Sequence, residues 1–83
     1  MKLPRDVGGK ELADLLRQYG YQQTRQTGSH MRLTSSFKGV EHHLTIPRHD
    51  SLRIGTLNQI LKDTAAYLEM DRQALIKELF KDQ

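Results

Sequence analysis

Within this 83-residue chain, the stretch whose residue types and spacing could carry chemistry is Thr24-Arg25-Gln26-Thr27-Gly28-Ser29-His30-Met31-Arg32-Leu33. Two runs of strand-like alternation meet at Thr27-Gly28-Ser29, and His30 is the first residue after that turn. Imidazole titrates unaided near neutral pH, so His30 can take or give a proton there. Met31 and Leu33 form the apolar phase of the second run. Period-2 alternation then assigns His30, Arg32 and Thr34 to the opposite face. His30 and Arg32 would lie about 6.5–7 Å apart along the strand, close enough to touch one phosphodiester. The letters Gly28-Ser29-His30-Met31 also match the remnant of a cleaved purification tag, but 27 residues precede them and the alternation continues, so they read as native.

The other three histidines, His42, His43 and His49, invite a metal reading. Adjacent strand residues point to opposite faces, so His42 and His43 cannot chelate together from a regular strand. No metal and no cofactor is expected. His49 fits a role in anchoring the loop after Pro47 or supporting the site. The chain has no cysteine, which excludes disulfides, a thiolate zinc site and a cysteine nucleophile.

At 36% hydrophobic and 28% charged, the chain reads as globular, with a small core. Its length fits one domain, residues 1–83, rather than two. No apolar run approaches the roughly 18 residues that span a bilayer, and the N-terminus does not open like a signal peptide, so a cytoplasmic protein is expected. The net charge of +3 is unevenly spread. Residues 1–56 hold nine Lys/Arg against five Asp/Glu, while residues 57–83 hold four against five. Between Asp14 and Glu41 there is no carboxylate, yet Arg17, Arg25, Arg32 and Lys38 fall in that interval. A cationic field centred on His30 fits a polyanionic partner, RNA or DNA, although an ordinary solvated basic face has the same composition.

The elements that must position this stretch follow from periodicity. Residues 1–7 are a lead-in, and Gly8-Gly9 opens a helix with Leu12, Leu15, Leu16 and Tyr19 on one stripe. Glu11 can occupy N3, but Gly8 offers no capping side chain. Gly20 closes the helix as a left-handed C′ residue. Strands are predicted over Tyr21–Gln26, from His30 onward, and over Glu41–Ile46, the last with Leu44 and Ile46 inward and His43 and Thr45 outward. Ser35–Val40 is the loop between the last two, and Pro47 ends the third strand. Residues 48–55 form a loop, and Thr56-x-x-Gln59 reads as a capping box opening a helix with Leu57, Ile60, Leu61 and Leu68 buried. Asp71 can cap a final helix carrying Leu75, Ile76, Leu79 and Phe80, so residues 57–81 form one bent helix or two. These stripes are core, with the final helix the one that could instead meet a partner. The fold class is α+β, a two-layer sandwich of helix, three antiparallel strands and helix, with room for a short C-terminal helix.

Several blocks resemble the HicA-type (YcfA-like) toxins, bacterial mRNA interferases with a double-stranded-RNA-binding-domain-like fold. They are Leu3-Pro4-Arg5-Asp6-Val7-Gly8-Gly9-Lys10-Glu11-Leu12, Leu15-Leu16 with Tyr19-Gly20-Tyr21, and Arg25-Gln26-x-Gly28-Ser29-His30-x-Arg32-Leu33. Thr45-Ile46-Pro47-x-His49 and Gly55-Thr56-Leu57-x-x-Ile60-Leu61 complete the ordered set. The chain departs from the pattern at Gly8, where a capping Ser or Thr is common, and over Ala65–Met70, which runs longer than the family's turn. The resemblance implies a ribonuclease with His30 as the catalytic residue, Arg25, Ser29, Arg32 and Lys38 as RNA-binding residues, and a HicB-type protein antitoxin as partner. The residues permit that role: a base can activate a ribose 2′-hydroxyl against the adjacent phosphorus while cations stabilise the developing charge. A single histidine gives a slow enzyme unless a second group moves the other proton. The competing readings are a non-catalytic RNA-binding module of the same fold and a DNA-binding regulator. The last is disfavoured because the C-terminal helices are net acidic and offer no basic face to a major groove.

Overall fold

The computed structural model describes residues 3–81. Helix α1 (Gly9–Leu15) runs into a 3₁₀ turn (Leu16–Tyr19), followed by strands β1 (Gln22–Thr27), β2 (His30–Ser35) and β3 (His42–Pro47), then helices α2 (Ile54–Leu68) and α3 (Arg72–Leu79). The three strands form one antiparallel sheet in the order β1-β2-β3. This is the expected α+β sandwich of helix, three antiparallel strands and helix, with the additional C-terminal helix present.

The core forms where the inward phase of the sheet meets the helical stripes. Met31 and Leu33 from β2 and Leu44 and Ile46 from β3 join Leu12, Leu16, Leu57, Ile60, Leu61, Leu68, Leu75 and Ile76 in one buried cluster. Each large aliphatic side chain so buried contributes about 1.5–3 kcal/mol relative to exposure. Leu79 and Phe80 are buried as well, so the stripe of the final helix is core and not a surface left for a partner. Strand β1 differs: all six of its residues are exposed, because its polar sequence has nothing to give the core.

Several boundaries depart from the sequence reading. Strand β1 begins after Tyr21, which is fully buried instead and donates its phenol toward Nδ1 of His42 at 2.6 Å. Ser35 is not a loop residue but the buried end of β2. Its hydroxyl donates to the Tyr19 carbonyl at 2.7 Å and accepts the Phe37 N–H at 3.1 Å, which satisfies it. Helix α2 starts at Ile54, two residues inside the expected loop, so Thr56 lies within its first turn and the Thr56-Gln59 capping box does not form. Residues 57–81 are two helices: Glu69, with φ of 58°, ends α2, and the Asp71 carboxylate caps α3 by accepting the Ala74 N–H at 3.3 Å.

The start of α1 shows why a glycine stands where a capping side chain would be usual. A Cβ on Gly8 would lie 2.8 Å from the Asp50 carbonyl oxygen, and one on Gly9 would lie 1.9 Å from that of Pro47. The Gly9 N–H donates to the His49 carbonyl at 2.9 Å, which ties α1 to the end of β3. The Glu11 carboxylate reaches back to the Gly8 N–H at 3.5 Å, so N3 is occupied as expected. His49 therefore anchors its loop through its backbone, and its side chain is exposed.

Candidate functional site

The hairpin that presents His30 is a two-residue turn, Gly28-Ser29, flanked by the pair Thr27 and His30. Gly28 has φ of +56° and Ser29 does not share the positive sign. That sign pattern belongs to the type II′ turn, which takes glycine first and matches the right-handed twist of the strands it joins. Alternation then works as expected along β2: His30 and Arg32 are exposed while Met31 and Leu33 are buried.

Arg25 reaches the same face by a less obvious route. On β1, Gln23 pairs with Leu33 and Gln26 with Met31, both opposite core residues. Unbroken alternation from Gln23 would turn Arg25 to that inner side too. A bulge between Gln23 and Arg25 inserts Thr24 as an extra residue, so Arg25 pairs with Arg32 and takes the outer face. The result is a shallow hollow of about 200 Å³ lined by Arg25, Thr27, His30, Arg32 and Thr45. One imidazole, two guanidiniums and two hydroxyls therefore converge on the open side of the sheet.

Ser29 sits in the turn, exposed, with its carbonyl accepting the Arg48 N–H, and it does not line this hollow. Lys38 is held elsewhere. It lies in the β2–β3 connection, beyond the far end of β2 from His30, with its ammonium 3.5 Å from the Glu69 carboxylate. Its N–H donates to the Tyr67 hydroxyl at 3.0 Å, and that hydroxyl in turn donates to the Val40 carbonyl. Arg25, His30 and Arg32 are thus brought together, whereas Ser29 borders them and Lys38 stands apart.

The two adjacent histidines separate as alternation requires. His42 turns inward, stacked on Tyr67 at a centroid distance of 4.6 Å and bonded to Tyr21. Burial holds its imidazole below the ordinary histidine range and pushes the Tyr21 phenol up to about 12, so the phenol donates and a neutral ring accepts. His43 turns outward, with Nδ1 2.9 Å from the Thr34 hydroxyl and Nε2 3.7 Å from the Glu41 carboxylate. Among the described residues, no three His, Asp or Glu side chains gather as a ligand set for a metal ion. Alternation in the sequence puts His43 and Thr45 on the outer face without assigning them a role, and it assigns none to Thr24 or Glu41 individually. The signal available for His43 was the same alternation that singled out His30.

The family model for the HicA toxin of bacterial toxin–antitoxin systems matches residues 9–65. The chain belongs to the HicA toxin family. The matched span runs from the first residue of α1 through most of α2 and includes the entire hollow around His30. It leaves out α3, which Asp71 caps. Membership makes the chain the toxin of a bacterial toxin–antitoxin system, with an antitoxin as its partner. No curated protein and no solved structure matches it. No helix of the described residues is long and apolar enough to cross a membrane.

Proposed function

We propose that this HicA family member is a metal-independent endoribonuclease of the bacterial cytoplasm that cleaves mRNA, with His30 as its general acid/base. The observation that carries the reading is the convergence of His30, Arg25 and Arg32 in one solvent-open hollow. The neutral imidazole takes the proton of a ribose 2′-hydroxyl, and that oxygen attacks the adjacent phosphorus. Charge gathers on the non-bridging oxygens, where the Arg25 and Arg32 guanidiniums and the Thr27 and Thr45 hydroxyls can meet it. The bond to the 5′-oxygen breaks, and that oxygen takes a proton from the imidazolium or from water. The products are a 2′,3′-cyclic phosphate and a free 5′-hydroxyl. With one histidine in reach of the phosphorus, slow turnover is expected.

The antitoxin of this reading is of the HicB type and covers the outer face of the sheet. Arg25 and Arg32 make that face cationic, so the covering patch should carry Asp and Glu in complement. A non-catalytic RNA-binding module would use the same arginines but would have no need of a titrating ring at position 30. Inducing wild type and His30→Ala in a bacterial host, with growth and bulk mRNA followed together, separates the two. Growth arrest with mRNA loss from wild type alone supports cleavage. Equal toxicity from both proteins would contradict it.

A further inference from the structure

Beside the His30 hollow lies a second one of about 360 Å³, lined by Thr24, Arg25, Arg32, Thr34, Glu41 and His43. Arg25 and Arg32 border both, so the two are continuous along the outer face. We propose that this second hollow receives a base of the RNA strand cut at His30 and selects guanine through the Glu41 carboxylate. The inference rests on reading the face as an RNA-binding surface, and it adds a specificity determinant to it.

The hydrogen bonding within the hollow has a direction. The Thr24 hydroxyl donates to the Arg32 carbonyl at 3.3 Å, and a carbonyl can only accept. The Thr34 hydroxyl, 3.0 Å from that of Thr24, must then donate to it, and the His43 Nδ1–H donates to Thr34 at 2.9 Å. With Nδ1 committed to Thr34, Nε2 of His43 faces the Glu41 carboxylate at 3.7 Å. That is longer than a hydrogen bond, so the exposed Glu41 carboxylate keeps both oxygens able to accept from a donor that enters the hollow.

Distance decides what this pair can serve. Thr34 pairs with His43 across the strands, and His30 pairs with Pro47. Four residue steps along β2 separate His30 from Thr34, about 13 Å at 3.3 Å per residue. His43 cannot share a phosphodiester with His30, so it is not the missing second proton-transfer group. It stands beside another nucleotide of the same strand. A carboxylate there repels phosphate but suits a base edge, since single-stranded RNA is read through splayed bases on their Watson–Crick edges. Guanine offers N1–H and N2–H₂ side by side, which matches the two oxygens of a carboxylate. Adenine and cytosine offer one amino group beside an acceptor nitrogen, and uracil one N–H between carbonyls. The guanidiniums of Arg25 and Arg32 are placed to stack on the base or hold its flanking phosphates. A Glu41–His43 pair that merely stabilised the surface would contribute little and would leave base preference untouched.

The test is equilibrium binding of short uridine-tract oligoribonucleotides to His30→Ala protein, which removes cleavage from the measurement. One central uridine is replaced in turn by guanosine, inosine or adenosine. Guanosine should tighten binding about tenfold over adenosine, the lower end of what a bidentate base contact discriminates. Inosine, lacking the 2-amino group, should fall between them. Glu41→Gln in the same background should erase the guanosine preference while leaving uridine-tract affinity equal or higher. Binding with no base preference, or a preference unchanged by Glu41→Gln, overturns this inference and leaves the RNA-binding reading standing. Failure to bind any of the oligonucleotides overturns both.

Discussion

Among the described residues, Arg25 and Arg32 are the cations that line both outer hollows. Arg32 stands beside His30 on β2 and pairs with Arg25 across the sheet. Arg17, by contrast, lines a groove between α1 and the inner side of β1, and Lys38 is engaged by Glu69. Substituting Arg32 by Ala should therefore weaken RNA binding and lower turnover more than Arg17→Ala or Lys38→Ala. The slope of log affinity against log salt should fall by about 0.7 for a lost single-strand phosphate contact. Titrations of the three variants across salt concentrations check this, and equal losses would mean that the charge acts diffusely. None of the three substitutions empties a core position, so each should leave stability within about 0.5 kcal/mol of wild type.

At the scale of elements, the close approach of α1 to the end of β3 fixes where the sheet stops. Gly9→Ala would push a methyl into the Pro47 carbonyl, 1.9 Å away, and should destabilise by about 1–3 kcal/mol. Gly55→Ala, in the first turn of α2 with open space around the position, should stabilise by about 0.4–1 kcal/mol. Urea denaturation of both variants tests the pair, and similar shifts would argue against the close approach. The order of elements and the face of His30 were legible in the sequence, because Met31, Leu33, Leu44 and Ile46 alternate with polar residues and a buried face allows one register. The bulge at Thr24 was not, since no residue type marks it and β1 has no apolar phase to reveal a slip. The start of α2 was missed for a related reason. Arg53 serves as N-cap without a side-chain hydrogen bond, while Thr56 and Gln59 imitate a capping box three residues too late. The Lys38–Glu69 pair is invisible to any local pattern, because it joins the β2–β3 connection to the end of α2.

For the molecule as a whole, pH acts through His42. Burial holds its imidazole below the usual value of 6.5, and the neighbouring His43 adds to the lowering while Asp63 opposes it. The unfolded chain takes up a proton that the folded one resists. This contribution to stability is therefore complete above about pH 6.5 and is lost as pH falls through that value toward the folded-state pKa. The urea midpoint should drop between about pH 7.5 and pH 5.5 in wild type and drop less in His42→Phe, which keeps the stack on Tyr67. An identical pH dependence in both proteins would rule His42 out as the cause. Restraint of the toxin is the other whole-molecule property. If the antitoxin covers the outer face, amide exchange along β2 should slow in the complex, and association should lose on-rate as salt rises. Binding that leaves β2 exchange unchanged would exclude direct cover. Metal-independent cleavage by His30 calls for an assay with purified protein, single-stranded RNA and excess chelator. Wild type should yield fragments ending in 2′,3′-cyclic phosphate, and equally folded His30→Ala should yield none. Cleavage by His30→Ala at the wild-type rate, or loss of wild-type activity on chelation with recovery on adding Mg²⁺ or Zn²⁺, would contradict it.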